Sequence, residues 1–175
     1  MSLRHEILAL LDYEEATSYE LTKKINSNGL FFWQAQQSQV YRETTKLEKE
    51  NLIVANPQSA NTKKYSLTKE GKQVLVDWLN ETDVTTLVEI RNPLLMKVFF
   101  SNITKPKDTI IVLQEYVNAC KAKLSEIVDG KEDISAFAKD KHDEICFSLT
   151  TYYAVSYYNF SIEWAEKCIT VLQQL

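Results

Sequence analysis

A chain of 175 residues with 45% hydrophobic content can bury one large core or two small ones. Only three glycines and three prolines leave few sharp turns, so the architecture is predicted to be mainly α. A formal charge of −4 is unlike the basic footprint of a simple nucleic-acid binder. Neither an N-terminal apolar h-region nor an apolar run near ~18 residues is seen, which predicts a cytoplasmic protein with no membrane partner.

In chain order, Ser2 can cap a first helix whose Leu3, Ile7, Leu8, Leu10 and Leu11 recur at helical spacing. Thr17 and Glu20 have the spacing of a capping box and open a second helix through Tyr19, Leu21 and Ile25, with Asn28-Gly29 as its stop. The aromatic run Leu30-Phe31-Phe32-Trp33 links it to a third helix, which starts at Gln36 or Ser38 and ends at Glu50. Val40, Leu47 and Thr44 face inward there, opposite Gln39, Arg42, Glu43, Lys46 and Lys49, and Asn51 suits a left-handed stop. Leu52–Val54 and Lys64–Leu67 read as two strands around a Pro57–Thr62 turn. Thr68 then caps a fourth helix with Val74, Leu75, Trp78 and Leu79 on its apolar face.

The polar stretch from Asn80 to Thr86 is the best boundary, giving domains 1–80 and 88–175 with a linker at 81–87. Asn92-Pro93 starts a helix carrying Leu94, Leu95, Val98 and Phe99. A longer helix opens between Thr104 and Asp108, runs through Ile110, Leu113, Val117, Cys120, Leu124 and Ile127, and closes at Gly130. The last helix spans roughly Asp140 to Gln174, with Ile145, Leu149, Tyr153, Tyr157, Phe160, Trp164, Val171 and Leu175 along one stripe. Tyr152, Val155 and Ile162 extend its apolar surface beyond that stripe, and a helix apolar on more than one side is usually covered by a partner.

Three helices followed at once by a two-stranded hairpin have the shape of a winged helix-turn-helix, and that shape points to double-stranded DNA. The major groove admits one helix, and side chains near its N-terminal end reach base edges. Ser38, Gln39, Tyr41 and Arg42 stand there, with Lys46 one turn on for a phosphate. Lys63 and Lys64 follow the wing turn and can reach backbone or minor groove, although charges that protect an edge strand would look the same. Residues 1–80 hold ten Lys/Arg against ten Asp/Glu, so the whole acidic excess lies in the C-terminal half. A neutral domain can still bind DNA if its cations share a face. The alternative is a protein–protein interaction module built on the same scaffold, and the charge balance favours it somewhat.

The ordered segments MSLRHEILALL, SYEL at 18–21, FFW at 31–33, SQVYRETTKLEKENLI at 38–53, KKYSLTKEGK at 63–72 and IRNPLLMKVFF at 90–100 resemble the PadR family of bacterial transcriptional regulators. Residues 101–175 look like that family's C-terminal helical dimerisation domain, in the longer form found among virulence-activator relatives. The chain departs from the family pattern at Ser18 and Asn51, where glycine is frequent, and at Thr44, where leucine is. Such a likeness implies a homodimeric repressor on a pseudo-palindromic operator, with Tyr19 on a backbone phosphate. It also implies a hydrophobic or phenolic small-molecule effector, for which Phe31, Phe32 and Trp33 would line a pocket with some of the C-terminal aromatics.

The dimer contacts expected are Leu3 and Ile7 of the first helix and Leu149, Tyr153, Tyr157, Phe160 and Trp164 of the last. Cys120, Cys146 and Cys168 are odd in number and widely spaced, as reduced thiols rather than a disulfide framework would be. His142 and Cys146 share a helix face but have no third ligand nearby in sequence, so no metal or cofactor is expected. No phosphate-binding glycine loop, HExxH, GxSxG or nucleophile–base pair suggests an enzyme.

Overall fold

The computed structural model describes residues 3–26, 34–59, 62–82, 92–130 and 138–175. The chain divides into two compact units, Met1–Leu87 and Val88–Leu175. In the first, α1 (Leu3–Tyr13), α2 (Ser18–Ile25) and α3 (Gln37–Lys49) precede strands β1 (Ile53–Ser59) and β2 (Thr62–Leu67) and helix α4 (Lys69–Leu79). Together they form a winged helix-turn-helix. The strands pair antiparallel from Ile53 opposite Leu67 to Ser59 opposite Thr62, with one irregularity between Pro57 and Ser59. They reach further than hydropathy predicts, because the backbone continues its ladder through polar residues once Ile53 and Tyr65 have anchored it in the core. Strand residues thus reach into the Pro57–Thr62 segment expected as a turn, of which residues 60–61 lie outside the described residues.

Local chemistry sets the helix limits. Thr17 and Glu20 close the anticipated capping box: the Thr17 hydroxyl accepts from the Glu20 N–H at 3.2 Å, and the Glu20 carboxylate accepts from the Thr17 N–H at 2.8 Å. Helix α2 ends at Asn26, whose side chain donates to the carbonyls of Thr22 and Ala35 and accepts from the Ala35 N–H. This tie bridges the chain from the end of α2 to the approach of α3; Asn28-Gly29, the expected stop, lies outside the described residues. Asn51 takes the left-handed conformation, with φ of 58°, that turns α3 into β1. Thr68 caps α4 by accepting from the Gly71 N–H at 3.0 Å.

Ile7, Leu8, Leu21, Ile25, Val40, Leu47 and Ile53 are fully buried and meet in one core with Leu11, Leu52, Tyr65 and Leu75. Each such side chain contributes about 1.5–3 kcal/mol relative to exposure. Ile7 has no surface left for a second subunit, which corrects its expected place in a dimer contact; Leu3 packs partly buried on the same cluster. Leu79, expected on the apolar face of α4, is 65% exposed, since that face ends with Trp78.

The second unit contains α5 (Pro93–Phe99), a 3-10 turn (Ser101–Ile103), α6 (Pro106–Asp129) and α7 (Lys141–Leu172). Asn92 caps α5 by accepting from the Leu94 N–H, and Asp140 caps α7 by accepting from the N–H groups of His142 and Asp143. Leu113 and Val117 of α6 meet Ala165 of α7, with Leu94, Val98, Tyr116, Ile162, Trp164 and Cys168 half-buried around them. Helix α7 turns its small residues Ala154, Ser161 and Ala165 inward, so that α6 and α7 can approach closely. Its large stripe therefore points out: Ile145, Leu149, Tyr153, Tyr157, Phe160 and Val171 are exposed. Trp164 departs from them and lies against the unit's own core. Leu95 and Phe99 of α5 are also exposed.

Candidate nucleic-acid interface

Helix α3 is two-faced by construction. Val40, Thr44 and Leu47, spaced at i, i+4 and i+7, are wholly buried, which leaves Ser38, Gln39, Tyr41, Arg42, Lys46 and Lys49 exposed on the opposite side. Arg42, Lys46 and Lys49 make no ion pair among the described residues. The Arg42 Nε donates back to the Ser38 carbonyl at 3.3 Å, which steadies the side chain along the helix and leaves its terminal nitrogens to solvent. The Tyr41 carbonyl accepts from the hydroxyls of Thr44 and Thr45, while its own side chain stands 62% exposed.

Gln39 is less available than the sequence suggests. Its Oε1 accepts from the Gln36 N–H at 2.8 Å as part of the helix start, so only its amide NH2 is open in this state. A two-pronged contact to a base would require the cap to open. Tyr19, in the first turn of α2, is 65% exposed with its phenol outward. The start of α2 is tied to α3 through Ser18, whose hydroxyl lies 2.9 Å from that of Thr44.

The wing separates its two lysines. Side chains alternate along a strand, so Lys63 shares a ribbon face with buried Tyr65, and Lys64 shares the other with Ser66. On the first face Lys63 Nζ reaches both carboxylate oxygens of Glu48, at 2.9 and 3.0 Å, joining the wing to the last turn of α3. That bond, chiefly, raises the lysine's pKa. On the second face the Ser66 hydroxyl and the Asn56 amide both donate to Glu15, and Lys64 lies near enough to Glu20 to act on its charge. Glu20 itself titrates below the usual carboxylate range, mainly through its bond from the Thr17 N–H.

The exposed set on α3, Tyr19 and Lys64 thus offers hydroxyls, one guanidinium and several ammonium groups, the donors that suit base edges and phosphate oxygens. Glu48 escaped sequence reasoning as a member of this surface. Its signal was an acidic side chain in the final helical turn, where the helix dipole disfavours negative charge.

Phe31, Phe32 and Trp33 lie outside the described residues. Exposed His142 and Cys146 are joined by no third ligand: among the described residues no group of three His, Cys, Asp or Glu side chains could hold a metal. Cys120 is buried, its thiol pushed up by that burial, and Cys168 is half-buried. Among the described residues no helix is long and apolar enough to cross a membrane.

Comparison with known proteins matches residues 7–77 to the transcriptional regulator PadR-like family and residues 90–173 to the virulence activator α C-terminal domain. The chain is 28% identical over 141 residues to the negative transcriptional regulator PadR of Bacillus subtilis, covering 78% of this chain and 77% of that protein. Among solved structures it is similar to Bacillus subtilis PadR in complex with operator DNA, with a TM-score of 0.81, 25% identity and 97% of each chain covered. A second structure of that regulator, in complex with p-coumaric acid, matches with a TM-score of 0.79 at 25% identity over 98% of each chain. The Vibrio cholerae virulence activator AphA shares the fold, with a TM-score of 0.78 at 23% identity over 99% of each chain.

Proposed function

This chain belongs to the PadR-like family of transcriptional regulators, a family of regulators rather than enzymes, and from that premise we propose that it is a homodimeric repressor of a pseudo-palindromic operator. The observation that carries the reading is the outward face of α3, where Ser38, Gln39, Tyr41 and Arg42 stand exposed at the N-terminal end and Lys46 one turn on. In this reading Arg42 and Gln39 read base edges, Ser38 and Tyr41 add hydroxyl contacts, and Lys46 and Tyr19 hold phosphates. Lys64, and Lys63 once released from Glu48, add sequence-independent affinity.

Two copies are needed to present two recognition helices about 34–36 Å apart to successive half-sites. The exposed Leu149, Tyr153, Tyr157 and Phe160 on α7 supply apolar surface for that pairing, and partly buried Leu3 on α1 is a further candidate. A phenolic small molecule that shifts the dimer would change operator affinity through the spacing. This part of the proposal is supported by the p-coumaric acid complex of the Bacillus subtilis regulator and by the aromatic run Phe31, Phe32 and Trp33.

Fluorescence anisotropy against duplexes tiled across the chain's own promoter, each titrated with salt, tests the reading. One duplex should bind far more tightly than random sequence, with a steep salt slope. Arg42→Ala should weaken that duplex by about 1–3 kcal/mol and relax its sequence preference. Binding that ignores both sequence and salt would instead mark a protein-interaction module.

A further inference from the structure

We infer that Glu48 is a positioning residue that latches the wing lysine Lys63 in the free protein and releases it only when a DNA phosphate competes for the ammonium. The inference rests on the DNA-binding reading above. Its basis is geometric: one ammonium is held by both oxygens of one carboxylate, at 2.9 and 3.0 Å, and the bond joins the two elements that would grip DNA. No other ion pair among the described residues links the wing to α3.

The pair is exposed enough to exchange. Lys63 keeps 55% of its side-chain surface in solvent and Glu48 keeps 29%. Exposed pairs of this kind are weak, and a phosphate brings a full charge to the same donor. The helix end also disfavours Glu48, so the lysine is the main favourable contact the carboxylate has there. The hydroxyls of Tyr41 and Tyr65 lie close enough to act on the same ammonium, so the latch sits at the edge of the recognition surface.

In the latch, a phosphate takes the Lys63 ammonium from Glu48 and leaves that carboxylate bare beside the DNA. That penalty is the same for every sequence. It therefore lowers affinity for every duplex by the same factor, random sequences included. Glu48 thus restrains the sequence-independent part of the affinity, although it touches no base.

Since wing–phosphate contact carries no sequence information, a random-sequence duplex is a sufficient probe. Its binding by the full chain would be measured by anisotropy over a salt series for the wild type, Glu48→Gln, Lys63→Gln and the double variant. Thermal melts would confirm that all four fold. Glu48→Gln should tighten binding about 3–10-fold at low salt, since no bond to Lys63 then has to be broken. In the Lys63→Gln background the same change should have little effect. An equal gain in that background would reduce Glu48 to a through-space charge and overturn the latch. Weaker binding by Glu48→Gln would overturn it too, by making the pair a strut that persists on DNA. If none of the four proteins bound any duplex in a salt-dependent way, the DNA reading itself would fall, and the latch with it.

Discussion

The hydroxyls of Ser18 and Thr44 lie 2.9 Å apart where the start of α2 meets α3. Thr44 is wholly buried and also donates to the Tyr41 carbonyl at 3.0 Å, so the Ser18 hydroxyl acts as donor to Thr44. Two positions 26 residues apart in sequence are thus one hydrogen-bonded unit in this chain. The Ser18 hydroxyl lies against Thr44, which is buried between Val40 and Leu47 on the inner face of α3.

That pairing predicts strong coupling between the two positions. Thr44→Leu alone should push its branched end into the Ser18 hydroxyl and strand that oxygen, destabilising the fold by about 1–3 kcal/mol. Adding Ser18→Gly should restore much of the loss, with a coupling energy of about 0.5–3 kcal/mol. Urea denaturation of the two single variants and the double would show it. Additive losses would mean that the two hydroxyls act independently.

Gly71 is fixed by close approach rather than by its backbone angles. A Cβ built there would stand 2.0 Å from the Leu52 carbonyl oxygen and 2.8 Å from Leu67 Cδ1. The carbonyl cannot retreat cheaply, because it already accepts from the Thr68 N–H at 3.1 Å and the Thr68 hydroxyl at 2.9 Å. Gly71→Ala should therefore destabilise by at least the roughly 1–3 kcal/mol of ordinary overpacking, despite alanine's better helix propensity. A midpoint in chemical denaturation equal to that of the wild type would refute the close contact.

Most of this architecture was legible in the sequence because local chemistry wrote it. The Thr17–Glu20 box, the Asn51 turn and the caps at Thr68, Asn92 and Asp140 each depend on a side chain and backbone groups within a few residues. What periodicity could not show was which apolar face meets a neighbour. In α7 the aromatic stripe reads as a partner surface, but nothing in it shows that α6 packs against Ala154, Ser161 and Ala165, where small residues allow helix axes to come close, or that Trp164 belongs to the unit's own core. Ile7 illustrates the converse, because i, i+4 spacing does not say whether a leucine-rich face serves its own unit or a second subunit. Long-range ion pairs such as Lys63 with Glu48 were invisible for the same reason: nothing in a linear pattern states which charges meet across elements.

The exposed α7 stripe gives a test of subunit pairing. Phe160 is 67% exposed, and the parallel rings of Tyr153 and Tyr157, 6.4 Å apart, lie along the same helix. A charge placed in the centre of an apolar interface removes a well-desolvated anchor, and such anchors are worth about 2 kcal/mol or more. Phe160→Asp should raise the dimer dissociation constant by at least about 30-fold and weaken operator binding with it. Sedimentation equilibrium reads the first effect directly. An unchanged association constant would move the interface elsewhere.

Glu6 should make the stability of the fold depend on pH. Its Oε1 is shut from solvent and has no hydrogen-bond partner among the described residues, and burial pushes its pKa up from 4.5 to about 7. A carboxyl whose folded pKa is raised binds its proton more tightly in the native state than in the unfolded chain. Its stabilising contribution is then complete below the unfolded value and is lost as pH climbs from about 4.5 through about 7. Neighbouring His5, stacked on Trp78 at 4.5 Å and titrating low chiefly because it is buried, works in the opposite direction, but it is present in wild type and variant alike. The difference between wild type and Glu6→Gln therefore isolates the carboxyl. Below about pH 4.5 the two proteins should melt together, and by pH 8 the glutamine variant should melt higher, since it never has to bury a charge. Differential scanning calorimetry across that range decides it, and two melting curves that stay parallel from pH 4 to pH 8 would show that Glu6 ionises as freely in the fold as outside it.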